Sequence, residues 1–336
     1  MNFVFKLQYI RVILPVLVSM CVATSGSPAS RICATQQLRV AIAGISGDPG
    51  REAVAALERV LVSDTRVVST DDSMVKTAVA GIGYNGSVNM SLAEASRLGA
   101  AIGCDFFITG IARTATRSVS TGESHSEAII GVMLVDGRTG ALVAFDFTSG
   151  IAPDATAARN AAVETLAKHA AGFVDRAAAY HASRVAVIAL PDTARAHETI
   201  EDLPEPDSAR AVGFVPPQFE NRVKPEYPDE ADRADITATV DALVVFHANG
   251  ATGDIEITRW AGFGLDESAI RAIRQLKFKP ATRDGNRVSV RALVQYNFRK
   301  SSSDAAPVSP PPAPETKKTP DLRELFKPRY VRPNPG

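Results

Sequence analysis

The chain has few of the residues that carry most protein chemistry. Only 3 of its 336 residues are cysteine, which excludes a disulfide-rich scaffold. Lysine and arginine number 37, and aspartate and glutamate also number 37, so no excess of charge indicates nucleic acid. The histidines are scattered, without a pair at metal-ligand spacing, at His125, His169, His181, His197 and His247. We therefore expect neither a metal site nor a nucleic-acid partner.

Motifs for catalysis are also missing. The chain has no Gly-x-Ser-x-Gly elbow, and no cysteine stands in a recognisable nucleophile pattern with a histidine. The stretch Gly44–Gly50 lies between a predicted strand and a predicted helix, but its glycine spacing differs from that of dinucleotide sites. Asp48 would also place a negative charge where the pyrophosphate binds. We expect no catalytic residue and no cofactor, and the protein is predicted not to be an enzyme.

The N-terminus has no apolar run of ordinary membrane-spanning length. Lys6 and Arg11 precede Val12–Ala23, which is shorter than the roughly 20 residues a spanning helix needs. Small polar residues follow, so residues 1–29 are predicted to be a secretory signal peptide or a short membrane anchor. Cys21 leaves a lipid anchor as an alternative. The prediction is export to the periplasm or to the periplasmic face of the cell envelope.

Clear periodicity appears between residues 219 and 299. Alternation from Ile236 to Phe246 predicts a half-buried strand, Asn249-Gly250 predicts a hairpin turn, and Val288–Phe298 predicts a last strand. Asp266 is a candidate N-cap of an amphipathic helix between the strands. The pattern predicts a small domain of helices packed on an antiparallel sheet, within a chain that is α+β overall.

These residues resemble the C-terminal domain of TonB over about residues 216–299. The resemblance lies in the opening Lys224–Pro228, in Asn249-Gly250 with the return strand Asp254–Ile257, in Gly264–Ala269 and in Phe278–Gly285. It implies a domain that adds a peptide of a partner to its own sheet, with no chemistry of its own. The implied partners are envelope proteins, above all a TonB-dependent outer-membrane transporter, with an inner-membrane motor left open.

The same resemblance implies where the peptide would bind. The receiving edge would be the last strand, with the opening segment of the domain beside it. The expected peptide-binding residues are Lys224, Pro225, Tyr227, Arg291, Leu293, Gln295 and Asn297.

Residues 37–184 alternate between predicted strands and helices. Asp48 and Pro49 are predicted to cap and open a first helix, and Ser91–Glu94 is a capping-box pattern. This α/β region resembles the N-terminal domain of TolB and the core of CsgG through Arg39–Ile42, Leu92–Gly99 and Phe107–Gly110. That resemblance implies binding and assembly of envelope proteins, and it leaves a homo-oligomer open. An alternative function is therefore an assembly or secretion scaffold.

The remaining segments are simpler. Residues 185–218 are predicted to be a linker, and the Pro-rich residues 300–336 a disordered tail. Export would place Cys33 and Cys104 in an oxidising compartment, where they could form a disulfide or remain two free thiols.

Overall fold

The computed structural model describes residues 37–118, 124–189, 199–204 and 208–300, and for residues 185–189 only the backbone. The predicted signal or anchor, Cys21, Cys33 and the Pro-rich tail after Lys300 lie outside the described residues. Within them the chain is α+β, as predicted.

The first part of the chain forms a mixed five-stranded sheet. Its strand order is β2-β1-β4-β5-β6, with β2, β1 and β4 parallel and β5 and β6 antiparallel to their neighbours. In chain order the elements are β1 (Leu38–Ser46), α1 (Glu52–Ser63), β2 (Val67–Ser69), α2 (Asp72–Gly81), β3 (Met90–Ser91), α3 (Leu92–Ile102), β4 (Phe106–Ser118), β5 (Ser124–Asp136), β6 (Leu142–Ala152) and α4 (Ala155–Ala189). The long helix α4 packs along β6, β5 and α1 and closes one core.

Two helix starts in this part were predicted from the sequence, and the structure agrees fully with only one of them. Ser91 and Glu94 form the predicted capping box at the start of α3, which ends at Gly103. The prediction for the first helix was wrong in detail, because α1 begins at Glu52 and Pro49 lies in the turn before it. Asp48 still caps this helix from a distance: one carboxylate oxygen accepts the N–H groups of Ala53 and Val54, each at 3.1 Å.

The second part builds an antiparallel sheet of order β3-β11-β10-β14-β13-β8. In chain order its elements are β7 (Ile200–Asp202), β8 (Phe214–Val215), β9 (Gln218–Phe219), α5 (Asp229–Arg233), β10 (Ala238–Phe246), β11 (Thr252–Trp260), α6 (Leu265–Arg274), β12 (Phe278–Lys279), β13 (Ala281–Arg283) and β14 (Asn286–Phe298). Strands β7 and β8 lie within residues 185–218, the segment predicted to be a linker, and β9 begins at its last residue.

Two turns of this sheet follow the sequence signals. Asp284 and Gly285 join β13 to β14 with φ of 50° and 83°, both in the left-handed region that a type I′ turn requires. Asn249 and Gly250 lie in the predicted hairpin, but the connection spans five residues, from His247 to Ala251. The Asn249 side chain accepts the Ala251 N–H at 2.9 Å and closes the longer loop.

Asp266 does not occupy the N-cap position that was predicted for it. Gly264, with φ of 73°, occupies that position, and Asp266 lies in the first turn of α6. Its two carboxylate oxygens accept the N–H groups of Ala261 and Gly262 at 3.0 and 2.8 Å. The side chain therefore organises the loop that leads into the helix, a role that helical periodicity does not reveal.

One apolar cluster joins residues from both predicted domains. Trp260, the last residue of β11, and Phe263, which follows that strand, belong to one cluster with Met133, Leu98 and Phe107 of the first part. The ring of Phe263 lies 4.7 Å from that of Phe145, and the short strand β3 pairs with the end of β11. The two parts thus share a hydrophobic core.

Candidate peptide-binding edge

The last strand, β14, has different neighbours along its two sides. On one side it pairs with β10 from Val290 to Phe298. On the other side β13 pairs with Asn286–Val288 and β7 pairs in parallel with Ser289–Arg291. Within the described part of the chain, no strand pairs with Ala292–Phe298 on that outer side. The structure thus narrows the predicted edge, Val288–Phe298, to its second half.

The direction of the backbone groups along this stretch follows from two contacts. Residues along a strand direct their N–H and C=O alternately to either side. The Arg291 carbonyl accepts the Leu203 N–H at 3.1 Å, so the backbone groups of Arg291 face the outer side of β14. At the other end Asn297 lies opposite Thr239, whose own N–H and C=O bind the Asn89 side chain on the far side of β10.

Both contacts indicate the same alternation of backbone groups along β14. The N–H and C=O groups of Leu293, Gln295 and Asn297 face outward, whereas those of Val294 and Tyr296 face β10. These three residues and Arg291 are the four strand residues predicted from the sequence. The backbone of Arg291 differs from the others because its carbonyl already bonds to Leu203.

The side chains of these residues share the exposed face of the sheet. Leu293 is 59% exposed, which is high for a large apolar side chain. Gln295 Nε2 donates to Asp241 Oδ1 at 2.8 Å, and Asn297 Oδ1 accepts from Thr239 Oγ1 at 2.8 Å. On this face the three residues therefore present one apolar side chain followed by two side-chain amides, both hydrogen-bonded to residues of β10.

Asp241 connects this face to the first part of the chain. Its second carboxylate oxygen accepts from Arg259 Nε at 3.3 Å, and Arg259 Nη1 lies 3.1 Å from Glu94 Oε2. The backbone N–H of Ser91 lowers the pKa of Glu94, and Arg259 lowers it further. Asp241, Arg259 and Glu94 are thus paired with one another, and Leu293, Gln295 and Asn297 carry no charge.

The opposite face of β14 is half-buried against the core. Val294 packs on the cluster around Phe246, and Tyr296 contacts both that cluster and the one that contains Phe298. Burial raises the pKa of Tyr296.

The opening segment of the domain lies near the start of β10. Tyr227 is half-buried, and its hydroxyl donates to the Ile236 carbonyl at 2.5 Å. Burial raises the pKa of this phenol, and Asp235 and Asp232 raise it further. Lys224 is exposed and Pro225 is half-buried. Tyr227 therefore anchors the segment to Ile236, two residues before Ala238, which pairs with Phe298 at the end of the edge.

Cys104 is buried at the start of β4, and its Sγ lies 3.8 Å from the Gly99 carbonyl oxygen. Burial raises the pKa of its thiol to about 12. The Asp105 N–H bonds to the Arg39 carbonyl, which places Cys104 beside the start of β1. Because Cys33 lies outside the described residues, the disulfide remains a prediction.

Two features near the edge were missed by sequence reasoning. The strand β7 was missed because three residues in a Pro- and acid-rich stretch show no usable alternation. Asn89 was missed because an isolated polar residue gives no sign that its amide will pair with a strand 150 positions away.

Two further observations concern the described residues only. No three His, Cys, Asp or Glu residues among them are grouped closely enough to hold a metal ion. None of the helices in these ranges combines the length and apolar character needed to cross a membrane.

Residues 223–299 match the family described as Gram-negative bacterial TonB protein C-terminal, which confirms the resemblance predicted for this part of the chain. This family is a protein-interaction module of the Gram-negative envelope. No curated protein matches the chain.

Several solved structures are similar to parts of the chain. The C-terminal domain of Pseudomonas aeruginosa TonB has 21% identity and a TM-score of 0.23, over 25% of this chain and 87% of that one. The hypothetical protein CT253 of Chlamydia trachomatis has 11% identity and a TM-score of 0.30, over 41% and 98% of the two chains. A PelC dodecamer from Paraburkholderia phytofirmans has 12% identity and a TM-score of 0.28, over 41% and 88%. The resemblance of residues 37–184 to TolB and CsgG stays a prediction.

Proposed function

We propose that this protein is an exported, non-enzymatic envelope module that captures an extended peptide by adding it as a strand to β14. The observation that carries the proposal is the outward row of N–H and C=O groups on Leu293, Gln295 and Asn297. Backbone groups on an open sheet edge supply affinity for a new strand, and adjacent side chains supply selectivity.

The composition of this edge supports the proposal. Soluble proteins protect exposed edges with prolines, lysines or other charges. Ala292–Phe298 has no proline and no charged residue, whereas the open part of β11 carries the exposed Asp254 and Glu256. The β14 edge thus lacks the residues that would prevent strand addition.

The partner we propose is a TonB-dependent outer-membrane transporter that presents an extended segment in the periplasm. The match of residues 223–299 to the TonB C-terminal family supports this choice. Arg291 and the opening segment at Lys224, Pro225 and Tyr227 would flank the captured strand. The charged N-terminus and short apolar run support export, with the signal peptide removed or kept as an anchor.

Amide hydrogen exchange tests the proposal at the level of single residues. The probe is a synthetic peptide copied from the periplasmic N-terminal segment of a TonB-dependent transporter. Binding should protect the amides of Leu293, Gln295 and Asn297. The amides of Val294 and Tyr296 bond to β10 and should be protected with or without the peptide, which makes them internal references.

A proline at Gln295 removes one outward N–H and leaves the ladder to β10 intact, because proline is tolerated on an edge. We expect Gln295→Pro to weaken binding by about tenfold or more, or about 1.4 kcal/mol. Gln295→Ala keeps the N–H, loses the contact with Asp241, and should bind almost normally. If the folded proline variant binds as tightly as the wild type, the peptide uses another surface.

A further inference from the structure

The outer edge of β14 is shared between the open row and a strand of the same chain. β7 pairs with Ser289–Arg291 through the register Ile200 to Ser289, Glu201 to Val290 and Asp202 to Arg291. The Leu203 N–H adds a last bond to the Arg291 carbonyl, at 3.1 Å. The next outward residue along β14 is Leu293, where the open row begins. Along this edge the outward backbone groups are therefore paired with the β7 segment as far as Arg291 and are open from Leu293 onward.

The contacts that hold β7 are few. The strand is three residues long, and Ile200 and Leu203 remain 37% and 43% exposed. Asp202 Oδ1 lies 3.9 Å from Arg291 Nη1, and both side chains are largely exposed to solvent, which makes this a weak ion pair. The two apolar side chains of this segment are thus only partly buried.

One ion pair holds the middle of the strand. Arg283 Nε donates to Glu201 Oε2 at 2.9 Å, and hydrogen bonds from Arg283 lower the pKa of Glu201. Arg283 belongs to the hairpin of β13 and β14, so the Glu201 side chain joins β7 to that hairpin more closely than Asp202 joins it to Arg291. A single substitution at Glu201 can thus weaken β7 without altering β14.

The length of the edge sets up a competition. The open stretch Ala292–Phe298 accommodates a strand of the usual length, about five or six residues, whereas a strand of about nine residues extends beyond it. The open stretch offers outward groups on Leu293, Gln295 and Asn297 alone. A peptide that pairs further along β14 must use the outward groups of Arg291 and then Ser289, which β7 now occupies.

We propose that β7 is a displaceable strand that competes with the captured peptide for Ser289–Arg291. This proposal rests on the proposed function, since it concerns the same edge. Capture of a long peptide then releases the segment around Ile200–Leu203 from the sheet, and a short peptide binds beside β7 without moving it. This segment belongs to the connection between the two predicted domains. Binding of a long peptide therefore detaches that connection from the sheet.

A reversible lock on β7 tests the competition in the full chain. Asp202 and Arg291 are register partners on neighbouring strands, which lie about 4.8 Å apart, within the range a disulfide can bridge. The double variant Asp202→Cys with Arg291→Cys is compared in its oxidised and reduced forms. The wild type under the same two conditions is the control for the native cysteines. The probes are transporter-derived peptides of about nine and about five residues.

The expected result is that oxidation weakens binding of the longer peptide by about tenfold and leaves the shorter one unchanged. Glu201→Ala, in the absence of the lock, should strengthen binding of the longer peptide. In the wild type, the amide of Leu203 should lose protection from exchange as the longer peptide binds. Equal affinity of the oxidised and reduced forms for the longer peptide would overturn the proposal.

The exchange data separate this proposal from the proposed function. If Leu293, Gln295 and Asn297 gain protection while Leu203 keeps its own, strand addition stands and displacement of β7 is wrong. If those three amides gain no protection with either peptide, both proposals are wrong.

Discussion

The side chain of Asn89 pairs with the backbone of Thr239 in β10 as the backbone of a neighbouring strand would, although Asn89 itself lies outside any strand. The Asn89 side chain accepts the Thr239 N–H at 3.0 Å and donates to the Thr239 carbonyl at 2.8 Å. The same amide also donates to the Trp260 carbonyl at 2.8 Å. One side chain thus continues the sheet beyond the end of β11 and satisfies the backbone groups of Thr239, which face away from β14.

Replacing Asn89 should be costly for this reason. Asn89→Ala leaves three half-buried backbone groups without this partner, and we expect a loss of about 2–4 kcal/mol in the free energy of unfolding. Asn85→Ala is the matched control, since Asn85 is exposed and caps only the nearby Ser87 N–H. Urea denaturation measures both. A loss at Asn89 no larger than that at Asn85 would contradict the role assigned to the amide.

Sequence periodicity located the elements that bury one face. The alternation in β10 and β14 and the turn at Asp284-Gly285 depend on residues near each other in the chain, so they could be predicted. The candidate edge followed from a family resemblance, and the direction of its backbone groups could not be read from the pattern. That direction is set by the register in which β14 pairs with β10, a strand that lies more than 40 residues earlier in the chain.

Elements stabilised by distant contacts were missed for the same physical reason. The helix α2 buries only Val75, so it shows a weak apolar stripe. The strand β7 depends on Arg283, 82 residues away from Glu201. In both cases tertiary contacts outweigh local preference, and local preference is what a single sequence displays.

Trp260 should be a main support of the shared core. It is 1% exposed, and its Nε1 donates to the Gly140 carbonyl at 2.9 Å. We expect Trp260→Ala to lower the free energy of unfolding by about 3–5 kcal/mol, because it leaves a cavity and an unpaired carbonyl.

The control for Trp260 is Val62→Ala, since Val62 is 76% exposed and its replacement should cost no more than about 0.5 kcal/mol. Denaturation is followed by two probes, one in each predicted domain. Because both domains contribute to the cluster around Trp260, the two probes should report one transition. Two separate transitions in the wild type would show that the shared core does not couple them.

Cys104 should react slowly in the folded protein. A pKa of about 12 leaves almost no thiolate near pH 8, and burial blocks access of the reagent. A thiol reagent added to the reduced, native protein should therefore label Cys104 only after denaturation. The predicted bond with Cys33 adds a second test: unreduced exported protein should show no free thiol on denaturation, and two free thiols would contradict the disulfide.

The carboxyl group of Asp266 should make stability depend on pH. It is 7% exposed, and burial raises its pKa from 3.8 to about 7, although the N–H groups of Gly262 and Ala261 lower it in part. The folded protein therefore holds this proton more tightly than the unfolded chain does. The stabilisation is complete below about pH 3.8 and is lost as the pH rises through about 7.

The size of this effect is on the order of 4 kcal/mol, from about 1.4 kcal/mol for each pKa unit. Chemical denaturation between about pH 5 and pH 8 measures the part that is lost between pH 5 and about pH 7, on the order of 3 kcal/mol. Carboxylates with lowered pKa values, such as Asp64 and Glu94, stay ionised over this range. Asp266→Asn cannot ionise and should remove the slope, whereas Glu267→Gln, on the exposed side of the same helix turn, should keep most of it. A wild type whose stability is constant or rises from pH 5 to pH 8 would show that the two backbone N–H groups outweigh burial at this carboxylate.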